Sequence, residues 1–544
     1  MVKKSQITAR VACAIVASMV SLGITAATAP DLRLPKRPTL VVGIFVEGLQ
    51  SDCLDLLRGN FGEGGFKRLL DSGVSIENVD FGPGIDATAA TAMLISGSAP
   101  SVNGIPAARV YSVEKKADHP VLLSASKIGN YSDAAFTPEP LLVSTLSDEI
   151  RIADGGIGQV HAIAPDAQIA IILAGHAGNS AYWISDISGK WVTSTFYRDS
   201  PQPVSKRNHF SPLASRLDTL GWTPSVPLDR YPDLPEYKKI YPFRHTFPAR
   251  DPNRFKAFKT SAPANREVTS LAIDYITSMQ LGQKDVTDMV NLSYTLAPYQ
   301  YGREADNRIE TMDAYLRLDA DLSNLFQAIE KGPGMDHTLV FVAGTPTPTD
   351  SKREEERWHI PYGVFSPRRA ISLLNMYLIA LHGNGDYVSG FHNGYLYLNN
   401  ALLKERDLDP AAIRAEAARL LTRMTGVSEV FTIDDILSSR AGDNGYALRR
   451  NTSLNHAGDL LVLVNPGWEI TDNTGEDGEI NPASANGPVV RNVVTTSPVY
   501  ILSPGIESQR IDIPVDARSI APTVARILRI RSPNAAATAP VRLR

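Results

Sequence analysis

Cysteine is almost missing from this 544-residue chain, with Cys13 and Cys53 the only two. Cys13 falls in a segment that reads as removable, so a mature form would keep one thiol. That excludes an internal disulfide framework and leaves the fold to stand on its packed core. Positive charge is not in excess either. A net charge of −4 offers no basic footprint for nucleic acid. Beyond the N-terminus there is no apolar run of membrane-spanning length, no repeat period and no long low-complexity tract.

The N-terminus carries Lys3, Lys4 and Arg10, then an apolar stretch over 11–27, with small residues at Ala26, Ala27 and Ala29. This is the outline of a secretory signal cleaved near Ala27 or Ala29. About 17 apolar residues also just reach the spanning range, so an uncleaved anchor is the competing reading. The expected location is outside the cytoplasm, periplasmic or secreted.

Two continuous apolar runs, 39–46 (TLVVGIFV) and 338–343 (TLVFVA), read as buried parallel strands. Weaker examples are 286–294, 159–164, 459–464 and 498–502. Helical patterns at 65–71, 141–152, 266–279, 306–330 and 519–529 lie between them. The alternation predicts an α/β protein with a mostly parallel sheet covered on both faces, its ligand crevice beyond the carboxyl ends of the strands. The expected organisation is a signal at 1–29, a core at 30–357 and 441–544, and an inserted α+β subdomain at 358–440. A Pro-, Arg- and Tyr-rich excursion occupies 197–263. Long insertions of this kind cover an active or binding face.

The most informative segment is 84–105, GIDATAATAMLISGSAPSVNGI. It reads as a helix start at Asp86, a small-residue first turn, an apolar run and a Gly/Ser/Pro stop. Such a helix N-terminus presents free N–H groups and a dipole to an anion. The segment resembles the nucleophile region of the alkaline phosphatase superfamily, T-A-P-G-H-T-x-x-x-T-G-S-x-P-x-x-H-G-I, in secreted alkaline phosphatases of the type I phosphodiesterase/nucleotide pyrophosphatase-like group. Further matches occur in the family's order: 59–78 (GNFGEGGFKRLLDSGVSIEN), 142–150 (LVSTLSDEI), 173–197 (LAGHAGNSAYWISDISGKWVTSTFY), 315–322 (YLRLDADL), 394–399 (GYLYLN) and 503–528. The resemblance implies a three-layer α/β/α sandwich of alkaline phosphatase type. It also implies phosphate-ester hydrolysis with two zinc ions, one polarising the phosphoryl oxygen and one activating a threonine.

Laid on that pattern, the reactive residues are replaced one after another. The metal-binding Asp after the first strand is Glu47, and the nucleophilic threonine falls on Ala87. Thr88 is its neighbour, but one helical step turns a side chain by about 100°. The phosphate-binding Asn is Ala108. The Lys-Asp-Arg clamp becomes Asp166-Ala167-Gln168, placing a negative charge where substrate oxygens would sit, a repulsion on the order of several kcal/mol in a poorly solvated site. The D-x-x-x-H ligand pair becomes Pro298 and Gly302, the Asp-His doublet becomes Gly344-Thr345, and the late His-Gly-Ser begins at Gly487. Two zincs need about six Asp/His ligands; of the ligand positions only Glu47 keeps an ionisable group. No catalytic residue and no metal ligand is therefore assigned, and no cofactor is expected.

Other tempting residues have ordinary readings. Asp336-His337 precedes its strand, about 20 Å from the site, and reads as a turn. His176 reads as a structural hydrogen-bonder, while His382 and His392 read as packed or exposed. Asp86 reads as an N-cap, and GEDGE at 475–479 as a solvated loop. The leading expectation is an exported, catalytically inactive member of the superfamily acting as a binding or scaffold protein. Its partner, a protein or an anionic or glycan ligand, is not written in the residues. The 197–263 and 358–440 segments are the expected partner surfaces. The rivals are an active phosphatase or phosphodiesterase using relocated Glu47, Asp86 and Thr88, and a metal-free anion or glycan binder in the crevice.

Overall fold

The first strand sets the architecture. In the computed structural model, β1 (Leu40–Glu47) is LVVGIFVE, and its side chains divide between two cores. Leu40, Val42, Ile44 and Val46 join one apolar cluster, and Val41 and Phe45 join another on the opposite face. That alternation is the period of a strand, and a strand buried on both sides reads as continuous apolar sequence. Each such side chain contributes roughly 1.5–3 kcal/mol on burial.

The structure describes residues 36–124, 126–130, 135–240, 242–302, 307–347, 359, 361, 363–472 and 495–544. The main sheet contains β1, β2 (Val74–Gly82), β3 (Gly129–Asn130), β4 (Val160–Ile163), β5 (Ser180–Ile184), β6 (Trp191–Ser194), β7 (Asp288–Thr295), β8 (Thr338–Thr345), β9 (Thr495–Leu502) and β10 (Gln509–Ile511). Their spatial order is β10-β2-β9-β8-β1-β7-β4-β5-β6-β3, with Val515–Asp516 also pairing β2. The central strands β8, β1, β7, β4 and β5 are parallel.

Helices α1 (Ala87–Ser96), α2 (Leu146–Ala153), α3 (Ala167–Ala174) and α6 (Ile520–Leu528) contribute to the second cluster. α4 (Ala262–Ser278) and α5 (Arg308–Lys331) contribute to the first. A sheet with helices on both faces is the three-layer α/β/α arrangement expected. Trp222, Tyr231, Phe247 and Phe258, from the 197–263 excursion, are buried in the first core.

Two strand expectations are corrected. The run at 498–502 lies in β9, which pairs antiparallel with both β8 and β2. The run at 459–464 is not a core strand: Leu460–Val464 lies within a separate antiparallel sheet, ordered 388–392, 395–398, 460–464, 427–432. Leu460, Val462 and Val464 face one small core, and Leu461 and Leu463 face another. Both of its faces are covered, so its sequence is continuous in apolar residues whichever way its neighbours run. The small sheet thus draws on residues past 440. The helices Pro367–His382 and Pro410–Leu421 pack on it. The signal-like N-terminus, the 475–479 loop and Gly487 lie outside the described residues.

Candidate functional site

The carboxyl ends of β7, β1 and β8 finish level with one another, so Thr295, Glu47 and Thr345 stand side by side. Glu47 is partly exposed, while Thr295 and Thr345 are buried. The Thr295 hydroxyl lies 3.4 Å from Glu47 Oε2. Burial pushes the Glu47 carboxyl up to about 7, helped by the negative charges of Asp166 and Asp86 and opposed by the Thr295 hydroxyl. Three carboxylates from three segments therefore share this end of the sheet.

Asp86 is the N-cap of α1. Its Oδ1 accepts from Ala89 N at 2.8 Å and its Oδ2 from Ala108 N at 2.7 Å. Burial raises its pKa, and those N–H groups pull the other way. α1 then closes on Gly97, whose φ of 67° is the left-handed conformation that suits glycine. Ala87 opens the helix with a methyl group. Thr88 beside it is 6% exposed.

Asp166 caps α3, with Oδ1 accepting from Gln168 N and Ile169 N at 2.8 and 3.2 Å. Gln168 braces the loops: its Nε2 donates to Ala108 O at 2.9 Å and its Oε1 accepts from Leu122 N at 3.1 Å. Positions that would clamp phosphate in the family pattern are here engaged with the chain itself.

Among the described residues, those at this end of the sheet do not fit a pair of zinc ions. Both Asp86 oxygens hold backbone N–H groups. Pro298 and Gly302, in the segment after β7, and Ala87 offer no donor side chain. Gly344 is closely packed: a Cβ there would lie 2.9 Å from Ser497 Cβ and 3.1 Å from Pro498 O. No side chain of ligand length fits without moving β9. Among the described residues no group of three or more His, Cys, Asp or Glu is arranged to hold a metal.

The remaining candidates lie elsewhere. Asp336 and His337 form a turn before β8. His176 Nδ1 is 3.4 Å from Asp148 Oδ2, His382 Nε2 is 2.7 Å from Glu416 Oε2, and His392 Nε2 is 3.3 Å from Arg109 O. Sequence reasoning placed Thr345 at the site but missed Thr295 on the other side of Glu47, and it missed the bracing by Gln168. Strand register is the signal that would have exposed Thr295.

The family model for type I phosphodiesterase / nucleotide pyrophosphatase matches residues 41–489. The chain is 26% identical over 538 residues to alkaline phosphatase PafA of Elizabethkingia meningoseptica, covering 93% of this chain and 94% of that one. It is 25% identical over 541 residues to alkaline phosphatase PhoV of Synechococcus elongatus, covering 92% and 91%. A crystal structure of wild-type PafA matches with a TM-score of 0.79 at 24% identity, over 93% of this chain and 98% of that one, a likeness of fold.

Proposed function

The chain belongs to the type I phosphodiesterase / nucleotide pyrophosphatase family of the alkaline phosphatase superfamily, and we propose that it keeps the family's crevice without its zinc-dependent hydrolysis. In this reading it acts outside the cytoplasm as a binding or scaffold protein. The observation that carries the proposal is the seat itself: a methyl group at Ala87, with both oxygens of Asp86 engaged by the N–H groups of Ala89 and Ala108. Support comes from the charge around it. Glu47, Asp86 and Asp166 gather where a phosphate ester carries its negative charge, and like charges in a partly desolvated site repel strongly. The same charge speaks against a metal-free anion binder in the crevice.

The second reading, an active phosphoric ester hydrolase, is favoured by the relatives. Two proteins matching more than nine-tenths of this chain are named alkaline phosphatases. It would have to work through Glu47 and Thr88, since Asp86 is occupied. The signal-like N-terminus supports export, and among the described residues no helix is long and apolar enough to cross a membrane.

One experiment separates the two. The purified protein is supplied with zinc, its bound metal is measured, and nitrophenol release from mono- and diester phosphates is followed. The expected result is substoichiometric zinc and no turnover above a zinc-only control, both unchanged by Ala87→Thr. Stoichiometric zinc with turnover abolished by Thr88→Ala would overturn the proposal and establish the hydrolase.

A further inference from the structure

The crevice at the carboxyl end of the sheet is acidic; cationic side chains collect at the other end. A basin of about 430 Å³ is lined by Lys127, Arg151, His176, Asn179, Arg198 and Asp199 among others. Asn179 fixes its place in the fold. Its N–H donates to Val160 O, and its Oδ1 accepts from Val160 N, so it stands at the amino ends of β4 and β5. Gly43, Asn291, Ala162 and Ala181 are successive register partners across the sheet. Counting along the strands from that row places the basin about 20 Å from Glu47.

The charges in the basin are not cancelled by the fold. Lys127 and Arg198 make no hydrogen bond or ion pair with another described residue. Arg151 donates to the carbonyls of Gly156 and Gly158, which hold its guanidinium in place without neutralising it. His176 is hydrogen-bonded to Asp148, and that contact raises its pKa. Asp199 is the one acidic residue in the lining, and its Oδ2 accepts from Asn179 Nδ2. Three permanent cations thus face one carboxylate, and they come from three separate segments. A concave wall bearing one sign of charge focuses the field and concentrates the opposite ion. The volume falls in the range of small-molecule sites.

We propose that this basin binds a small polyanion, a ligand carrying two or more clustered phosphate or carboxylate groups. Three cations against one carboxylate leave a surplus of two positive charges, which a ligand with two or more oxyanion groups neutralises. Arginine's planar fork suits either oxyanion. The site is independent of the crevice and of any hydrolysis there.

Calorimetric titration of the full chain at low salt, with inorganic pyrophosphate in one arm and citrate in the other, tests the proposal. Saturable binding of at least one is expected. The double variant Lys127→Gln/Arg198→Gln weakens it by at least about tenfold. Asp199→Asn tightens it, and raising the salt about tenfold weakens it. Preference for pyrophosphate identifies the groups as phosphates, and preference for citrate identifies them as carboxylates. The proposal is overturned if neither ligand saturates the wild-type protein, or if the double variant binds unchanged. Both substitutions replace side chains that hold nothing in the fold, so loss of binding is not loss of structure; circular dichroism of the variant verifies this.

Discussion

Glu47 shows what one longer carboxylate does at a strand end. Its folded pKa is raised from 4.5 to about 7, chiefly by burial. A carboxyl group whose pKa rises on folding holds its proton more tightly in the native state. Stability therefore falls as pH climbs from about 4.5 to about 7 and stays lowered above that. A shift of this size corresponds to at most about 3 kcal/mol, and partial contact with solvent reduces the expected effect to about 1–2 kcal/mol. Glu47→Gln removes the penalty. Urea unfolding is expected to find the variant more stable than wild type near pH 8 and nearly equal near pH 4.5. An equal difference at both pH values would refute the assignment. The family resemblance singled out Glu47, Asp86 and Asp166 as site positions in the sequence, but not the burial that raises the Glu47 pKa. Its environment comes from Asp86 and Asp166, which are 39 and 119 positions away.

At the scale of elements, the parts of the fold that were legible are those with local chemical signals. Asp86 before a small-residue turn and Gly97 after an apolar run bound α1 as expected, because capping is written within a few residues. Strand direction was less legible. Leu460–Val464 is an apolar run like β1, yet it lies in an antiparallel sheet; burial on both faces makes the sequence, and direction leaves no mark on it. Gly344 is a further case, since its lack of a side chain reads as a missing ligand in sequence and as a packing requirement in space. Gly344→Asp, which restores the family's acidic residue, is expected to destabilise by about 1–3 kcal/mol from overpacking alone, with a buried charge adding to the cost. A denaturant midpoint equal to wild type would show that β9 yields readily and that the packing argument is wrong.

Across the whole molecule, the final residues tie back to the core over long sequence distances. Arg531 pairs with the buried carboxylate of Glu149 in α2 at 3.0 Å, Asn534 N donates to Ser144 Oγ, and Val541 N donates to Thr523 Oγ1 in α6. Glu149 is 2% exposed and also accepts from Ser144 Oγ. Truncation after Ile530 strands that carboxylate, and burying an unpaired charge is costly. Thermal unfolding should show the truncated chain melting several degrees lower, and Glu149→Gln should recover part of the loss. A truncated chain that melts with the full-length protein would mean that this tail is only laid on the surface.

The capped start of α1 has a consequence for how this protein meets the reagents used to find phosphatases. Asp86 is, in effect, a ligand already tethered in the seat. A soluble oxyanion must compete with a carboxylate that the chain itself holds against the N–H groups of Ala89 and Ala108. On the proposed function the crevice itself gives a phosphate mimic no seat, so retention of this protein on such a resin would come from the cationic basin at the other end of the sheet.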